Sequence, residues 1–204
     1  MAKPGLIHGP LRPDAVHLCV DMQRLFAEGS PWEVPWLARI LPAVEAVCAH
    51  RPDRTVFTRF IPPATPGEAG GSWRLYWRKW EEMTLKAKGG GMVGLVPALD
   101  RFAPPARVVD KKVYSPWLDP ALDAALREMG TDTLIVTGGE TDVCVLATAL
   151  GAIDRGFRLV MVTDALCSSS DRTHDDLMEV YLHRFSVQIE TAETEEVLAA
   201  WGRA

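Results

Sequence analysis

The chain has 204 residues, of which 48% are apolar and 24% are charged, and its formal net charge is -5 at pH 7. This composition is typical of a globular chain that can bury a sizeable core, and the acidic balance argues against nucleic acid as a default partner. No apolar run approaches the length of a membrane span, and residues 1–13 lack the apolar core of a signal peptide, so we expect no membrane association and a cytoplasmic location.

The four cysteines are far apart in the sequence and form no C-x-x-C pair: Cys19, Cys48, Cys144 and Cys167. A disulfide framework or a structural zinc site is therefore not expected, and the thiols are expected to be reduced. We interpret Cys19, Cys48 and Cys167 as small core residues, because a cysteine in an apolar segment usually has that role.

Apolar, β-branched runs alternate with helical patterns along the chain. Strands are predicted at residues 15–22, 54–60, 107–112, 133–138, 158–164 and 186–191. Helices are predicted at residues 37–50, 120–129, 141–155, 171–184 and 194–201. Near-continuously apolar strands indicate a parallel sheet covered on both faces. The alternation therefore predicts one α/β domain over residues 1–204, doubly wound (Rossmann-like), with three α/β/α layers around a six-stranded, mainly parallel sheet.

Residues 61–94 interrupt this alternation with a loop rich in proline and glycine, followed by an aromatic helix over residues 73–83. The aromatic helix carries large side chains at helical spacing: Trp73, Tyr76, Trp77, Trp80 and Met83. Such a stripe packs on the core or on another subunit, or its rings roof a substrate pocket. The two interpretations can hold for different rings.

Polar side chains end or follow three of the predicted strands, at the edge where doubly wound sheets bind ligands. Asp21 lies at the end of the first strand, Lys111 and Lys112 end the third, and Cys144 follows the fourth after a Gly-Gly turn. Each has an ordinary alternative role, as a turn cap, a solvated strand end or a small core residue. Together, however, a thiol, a carboxylate and an amine provide nucleophilic catalysis: the thiolate attacks, the carboxylate takes the thiol proton, and the ammonium favours the charged forms.

The position of Cys144 near the start of a predicted helix adds to this interpretation. Helix N-termini carry free N–H groups and a partial positive charge, which stabilise a thiolate. The same N–H groups can receive a developing oxyanion. One short segment can therefore hold both a nucleophile and the donors that stabilise its product.

Three segments of the sequence are similar to those of a known family. They read Val20-Asp21-Met22-Gln23 with Phe26, Val109-Asp110-Lys111-Lys112-Val113-Tyr114-Ser115-Pro116-Trp117, and Gly138-Gly139-Glu140-Thr141-Asp142-Val143-Cys144-Val145. With them the chain resembles the isochorismatase-like cysteine hydrolases, which include nicotinamidase, N-carbamoylsarcosine amidase, ureidoacrylate hydrolase and isochorismatase. The resemblance extends from Val16 to about Trp201.

The resemblance implies Asp21, Lys111 and Cys144 as catalytic residues, with Lys111 preferred to Lys112 because it lies three residues before a Tyr-Ser pair. It also implies a dimer or tetramer. The usual strand order of a doubly wound sheet is 3-2-1-4-5-6. In that order Lys111 is two strands away from Asp21, so the lysine must reach inward. A non-proline cis peptide is expected between Gly139 and Glu140, with the N–H groups of Glu140 and Cys144 directed to one oxyanion.

The departures from the family pattern narrow the expected chemistry. No histidine lies between His50 and His174, where nicotinamidases carry metal-binding histidines. A metal site is therefore not expected, no cofactor is expected, and nicotinamide is disfavoured as a substrate. Isochorismatases that cleave a vinyl ether lack the cysteine, so the presence of Cys144 favours amide-type substrates.

The predicted function is hydrolysis of a small amide, carbamoyl or ureido substrate through a thioester, with release of ammonia or an amine. Substrate contacts are expected from Phe26, Arg59, Tyr114 and Trp117, which follow or adjoin the three segments. Arg59 could hold a substrate carboxylate as a two-pronged donor, or could instead form a surface ion pair.

Three other interpretations stay open at this point. The protein could be an ether hydrolase of the isochorismatase type. It could bind a small molecule or a partner without catalysis. It could also be a thiol-redox protein, which would need a resolving cysteine, and Cys167 is the candidate for that role.

Overall fold

The computed structural model describes residues 5–27 and 29–202. The strands are β1 (Val16–Val20), β2 (Thr55–Phe60), β3 (Arg107–Lys111), β4 (Thr133–Gly139), β5 (Arg158–Cys167) and β6 (Ile189–Ala192). The α-helices are α1 (Leu37–His50), α2 (Gly71–Lys79), α3 (Leu85–Lys88), α4 (Pro97–Asp100), α5 (Pro120–Met129), α6 (Cys144–Asp154), α7 (Asp171–Glu179) and α8 (Thr194–Ala200). Among the described residues, no helix is both long enough and apolar enough to cross a lipid bilayer.

The six strands form one sheet in the order β3-β2-β1-β4-β5-β6, and every neighbouring pair is parallel. The predicted fold class and strand order are therefore confirmed. Val20, at the end of β1, lies beside Thr58 of β2 and Gly138 of β4. This register brings the carboxyl ends of the three central strands together, so the loops that follow them meet at one edge of the sheet.

Helices cover both faces of the sheet, as buried strands in a parallel sheet require. On one face, α1 and α8 enclose apolar side chains that include Val44, Val47 and Val197. On the other face, α5 and α6 pack on the sheet through side chains such as Leu122 and Val145. Two apolar cores therefore hold the strand ends in place.

Local signals explain the bounds of α5 and the start of α6. The Asp119 carboxylate accepts the Ala121 N–H at the start of α5, and Gly130 ends that helix with φ 64°. The predicted helix from residue 141 begins later, at Cys144, because Val143 is not helical (φ -125°, ψ -90°). Cys144 is therefore the first residue of α6, where its N–H has no partner within the helix.

The predicted aromatic helix is broken at Trp80, where α2 has ended and a 3₁₀ turn over Glu81–Met83 begins. Trp77 and Met83 are almost fully buried against Leu25 and Phe60, in a third apolar cluster. The ring of Tyr76, one residue earlier, is only half-buried. Core packing therefore applies to part of the stripe, and other rings remain available to line a pocket.

Candidate active site

The Asp21 carboxylate is held at the end of β1 by β2. Its backbone is left-handed (φ 51°), a conformation that aspartate tolerates better than most residues. The Asp21 N–H donates to the carbonyl and the hydroxyl oxygen of Thr58, each at 3.2 Å. The Thr58 hydroxyl in turn donates to Asp21 Oδ1 at 2.7 Å. This reciprocal pair fixes the orientation of a carboxylate that is only 2% exposed.

Lys111, the last residue of β3, reaches across the end of β2 to the same place. Its Nζ lies 2.6 Å from Asp21 Oδ2 and 3.4 Å from Cys144 Sγ. The contact with Oδ2 has the distance of an ion pair but not the alignment of a hydrogen bond. The ammonium also lies 5.1 Å from the centre of the Phe60 ring. The structure thus brings together the three side chains that the sequence placed on different strands.

The turn between β4 and α6 places Cys144 beside this ion pair. Gly138 adopts φ 105°, and the Gly139–Glu140 peptide is cis, at the position that the family resemblance implied. In the described part of the chain, the N–H groups of Glu140 and Cys144 donate no hydrogen bond to the protein. Both are therefore available to a ligand oxygen, as an oxyanion site requires.

The surroundings of Cys144 favour the thiol over the thiolate. Burial and the Asp21 carboxylate raise the pKa of Cys144, and the Lys111 ammonium opposes this only in part. Burial alone would lower the pKa of Lys111, but Asp21 and Cys144 outweigh it and raise the pKa. At neutral pH the site therefore holds a neutral thiol next to a carboxylate–ammonium pair, whereas the helix start alone had suggested a stabilised thiolate.

This protonation state has a spectroscopic consequence. We expect the thiolate ultraviolet band of Cys144 to be absent at neutral pH and to develop only above the ordinary thiol pKa of 9.0, because burial and Asp21 both hold the proton on sulfur. The measurement is the absorbance difference between the native protein and Cys144→Ala across a pH titration. A thiolate band already present at pH 7 would contradict this protonation state.

A cavity of about 300 Å³ opens over Cys144. Its walls are mostly aromatic rings, from Phe26, Trp32, Phe60, Tyr76, Trp80 and Tyr114. The charged side chains that line it in the described residues are Glu33 and Glu140. This volume suits a small ligand.

Trp32 is the centre of the aromatic wall. Its ring stacks on Phe26 at a centroid distance of 6.1 Å and meets Trp80 edge-to-face at 5.7 Å. Tyr76 lies 6.0 Å away on a third side. Because these rings hold one another, the wall is a packed surface rather than a set of separate side chains.

Two of the four predicted substrate contacts, Phe26 and Tyr114, line the cavity. Arg59 lies outside the lining of the cavity over Cys144, and its guanidinium forms two hydrogen bonds with Asp110, at 2.7 and 2.9 Å. Both residues belong to paired positions of β2 and β3, so the ion pair follows from the strand register. The surface ion pair considered for Arg59 is therefore what the structure contains.

Trp117 also lies outside this lining, since its side chain packs on α6. Its indole N–H donates to the Thr148 carbonyl oxygen at 2.9 Å, and the side chain is 7% exposed. A Cβ atom at Gly151 would lie 2.1 Å from Trp117 Cδ1, so the helix leaves space for the ring at that position. A buried indole needs an acceptor for its N–H, and a helix carbonyl supplies it here.

Several residues that shape the site were not predicted from the sequence. Trp32 and Glu33 lie in a short irregular segment after β1 and were assigned no role. No motif of the sequence identifies Thr58, which orients Asp21, as a site residue. Tyr76 and Trp80 were foreseen as one alternative for the aromatic stripe. A signal for Trp32 existed in principle, since an aromatic residue in a polar loop close to a predicted strand end is a candidate ligand contact.

The turn that carries the nucleophile is fixed by contacts from β5 and α7. Thr141 donates through its N–H and its hydroxyl to the Cys167 carbonyl oxygen, at 2.9 and 3.1 Å. The Tyr181 hydroxyl donates to the Thr141 carbonyl oxygen at 2.9 Å, and His174 Nδ1 lies 2.9 Å from the Thr141 hydroxyl. The backbone next to Cys144 is therefore held rigidly.

Three side chains that could bind a metal meet elsewhere, within the described residues. The ligand atoms of His17, Cys19 and Cys48 lie within 4.8 Å of one another in the core under α1. Both ring nitrogens of His17 already contact threonine hydroxyls, those of Thr55 at 3.3 Å and Thr137 at 2.7 Å. Burial lowers the pKa of His17 to about 3, so the ring is neutral. These contacts account for the cluster as part of the core.

The fold and the polar side chains at its carboxyl edge define a doubly wound α/β protein with a ligand site at the strand ends. A model of the Isochorismatase domain matches residues 15–193. Ureidoacrylate amidohydrolase RutB of Methylobacterium radiotolerans is 33% identical over 185 residues, which cover 76% of this chain and 71% of that protein. The chain therefore belongs to the isochorismatase family of hydrolases.

Other relatives match over shorter stretches. The uncharacterised isochorismatase family protein YwoC of Bacillus subtilis is 30% identical over 85 residues, or 42% of this chain. The chain spans less than half of the length of that relative, 45%. Such partial matches support membership of the family but do not show the activity of the whole protein.

Solved structures share the fold over nearly the whole chain. A cysteine hydrolase from Pseudomonas syringae pv. phaseolicola 1448A superposes with a TM-score of 0.81 at 24% identity, covering 98% of both chains. N-carbamoylsarcosine amidase from Thermoplasma acidophilum superposes with a TM-score of 0.71 at 21% identity, covering 89% of this chain and 96% of that one. At these identities the likeness shows the fold alone.

Proposed function

We propose that the protein hydrolyses a small amide, carbamoyl or ureido substrate with Cys144 as the nucleophile. The observation that carries the proposal is the contact of Lys111 Nζ with both Asp21 Oδ2 and Cys144 Sγ at the floor of an aromatic cavity. A buried thiol beside a carboxylate has both the attacking atom and a base for its proton. The sequence similarity to ureidoacrylate amidohydrolase supports C–N bond hydrolysis as the reaction class.

In the first half of the reaction, Asp21 takes the Cys144 proton as sulfur attacks the carbonyl carbon. The raised pKa of Cys144 means that this proton leaves during the attack and not before it. The carbonyl oxygen becomes an oxyanion and accepts hydrogen bonds from the N–H groups of Glu140 and Cys144. The tetrahedral intermediate collapses to a thioester, and Asp21 returns the proton to the departing ammonia or amine.

In the second half, water attacks the thioester. Asp21 takes a proton from the water, and the same N–H groups hold the second oxyanion. Breaking the C–S bond releases the acid, and the sulfur regains its proton from Asp21. The Lys111 ammonium lies 2.6 Å from the Asp21 carboxylate and balances its charge between the steps.

The positions of the thiols bear on the thiol-redox alternative. Cys144 belongs to the apolar cluster under α5 and α6, whereas Cys167 belongs to the cluster on the opposite face of the sheet. A disulfide between them would have to pass through the sheet at Gly139, which argues against Cys167 as a resolving cysteine. The intact contact among Asp21, Lys111 and Cys144 argues against a purely binding role.

The test of the proposed function is an ammonia-release screen over primary amides, N-carbamoyl amino acids and ureido acids, with Cys144→Ala as the control. We expect at least one class to be hydrolysed by the native protein and not by the variant. Hydrolysis of vinyl ethers alone, with no amide turned over, would replace this proposal by the ether-hydrolase alternative.

We expect Asp21→Asn to reduce kcat/KM by about 10²–10⁴-fold, since the amide cannot take the thiol proton. The substitution also leaves the buried Lys111 ammonium without its counter-charge, which destabilises the fold by about 3–5 kcal/mol. The double variant Asp21→Asn with Lys111→Met separates the two effects. It is expected to regain stability in a denaturant titration and to stay inactive. Near-normal turnover in either variant would remove Asp21 from the mechanism.

A further inference from the structure

Among the residues that the structure describes, none places a free positive charge at the cavity over Cys144. In the described part of the chain, its charged lining residues are Glu33 and Glu140, and the ammonium of Lys111 beneath it is paired with Asp21. Arg59, the candidate partner for a substrate carboxylate, is bound to Asp110. An anionic substrate would therefore meet two carboxylates and no available cation.

In each of the two glutamates, one carboxylate oxygen accepts a hydrogen bond from a backbone N–H. Glu33 Oε2 accepts the Gly29 N–H at 3.1 Å, and Glu140 Oε1 accepts the Ser169 N–H at 2.9 Å. Their second oxygens make no hydrogen bond within residues 5–27 and 29–202. Each carboxylate is thus oriented by the backbone and still has an oxygen that can face a ligand.

The charge of Glu140 reaches the aromatic wall. Burial raises the pKa of Tyr114, and the Glu140 carboxylate adds to that rise. Burial also raises the pKa of Tyr76, and Tyr114, Cys144 and then Glu140 add to that rise. The negative potential of the carboxylate is therefore felt across the cavity at both phenols.

The rings themselves suit a positively charged ligand. Aromatic faces attract cations, and methylated ammonium groups are bound in proteins by several such faces together. Trp32 and Trp80 meet edge-to-face at 77°, and Tyr76 is tilted by 43° against Trp32, so the rings present surfaces in different directions. A carboxylate substituent would gain nothing from these faces.

We propose that the substrate carries a methylated ammonium group, which lies against Trp32 and Trp80 while Glu33 and Glu140 balance its charge. A methylated ammonium has few or no N–H groups that require hydrogen-bond acceptors. Contact with ring faces and the charge of two nearby carboxylates therefore suffice to bind it. This inference rests on the proposed function and adds a substrate class to it.

The first experiment measures binding without turnover. The Cys144→Ala protein is titrated with three primary amides of the same length: γ-trimethylammonio-butyramide, its neutral tert-butyl isostere, and glutaric monoamide. Quenching of tryptophan fluorescence or calorimetry reports the Kd. We expect the cationic amide to bind on the order of tenfold more tightly than the isostere, and the anionic amide to bind most weakly. Equal binding of the first two, or tightest binding of the anion, overturns the inference.

The second experiment measures ammonia release from the same amides by the native protein. Higher kcat/KM for the cationic amide supports the inference. Equal hydrolysis of the cationic and neutral amides leaves the proposed function in place and removes the cation preference. Preferential binding of the cation to Cys144→Ala without cleavage of any amide supports the cation site and counts against amide hydrolysis.

Matched variants locate the site. Glu33→Gln removes a charge at the cavity, and Glu68→Gln removes one from a glutamate that also accepts a backbone N–H, from Ala64 at 3.1 Å, outside this cavity. We expect Glu33→Gln to lower the cation-to-neutral binding ratio several-fold and Glu68→Gln to leave that ratio unchanged. Trp80→Leu is expected to lower it more than Trp80→Phe, which keeps a ring. Equal ratios in all four variants overturn the proposed position.

Discussion

Replacing Cys144 with alanine is expected to reduce turnover of the true substrate by about 10⁴-fold or more, because no other group at the cavity floor can form the thioester. The side chain is 6% exposed and small, so alanine fits in its place and folding is preserved. The Asp21–Lys111 pair also remains, since its 2.6 Å contact does not depend on the sulfur. The measurement is kcat/KM for ammonia release.

A second thiol provides the matched control for this substitution. Cys48 is fully buried under α1, on the face of the sheet opposite to Cys144, and Cys48→Ala is expected to retain turnover within a few-fold. Hydroxylamine added during turnover should convert the thioester to a hydroxamate with the native protein and with Cys48→Ala. Activity of Cys144→Ala within tenfold of native would mean that the nucleophile lies elsewhere.

Replacing Gly138 with alanine is expected to cost about 4 kcal/mol or more of folding free energy, which is exceptional for a single methyl group. A Cβ atom at this position would lie 2.1 Å from the Val20 carbonyl oxygen, and φ is 105°. Neither strand can yield, because β1 and β4 are the central pair of the sheet and each is bonded on both sides. The same clash would displace Asp21, which follows Val20, so activity is expected to fall as well.

Gly156 separates the two causes of this loss. It also has a positive φ, 80°, but a Cβ atom there would meet nothing within 4 Å. Gly156→Ala is therefore expected to cost only about 1–2 kcal/mol, the penalty of the left-handed backbone. Denaturant titration of both variants gives the comparison, and soluble yield serves if Gly138→Ala does not fold. Similar losses at both positions would show that steric overlap between position 138 of β4 and Val20 of β1 is not important.

Strand and helix positions were largely predictable because their signals are local. The periodicity of α1 and the cap, proline and glycine around α5 gave the observed bounds. The chain order of apolar runs predicted a parallel sheet, and the usual topology of doubly wound sheets supplied its strand order. Errors occurred at ends, as at α6, where the turn before Cys144 is set by Thr141 bonding to β5.

The identity of the residues around the nucleophile was predictable only where the chain carries a recognisable segment. Asp21, Lys111 and Cys144 each follow or end a strand, so topology brings them to one edge. Whether the Lys111 side chain could reach past β2 to Asp21 was not predictable. That reach depends on where β2 ends and on the space beside Phe60. The partners of Arg59 and Trp117, a carboxylate and a helix carbonyl, were not predictable because spacing along the chain does not reveal them.

The sequence by itself determined the fold class and the residues at the strand ends, since both follow from patterns within short segments. Only the tertiary structure decided the walls of the cavity, because these come from segments far apart in the chain: Trp32 and Glu33 after β1, Tyr76 and Trp80 from the aromatic region, and Glu140 beside the nucleophile. It also decided the protonation of Cys144, since a pKa depends on burial and on charges from other strands. Contacts between distant segments have no periodicity that could be read along the chain.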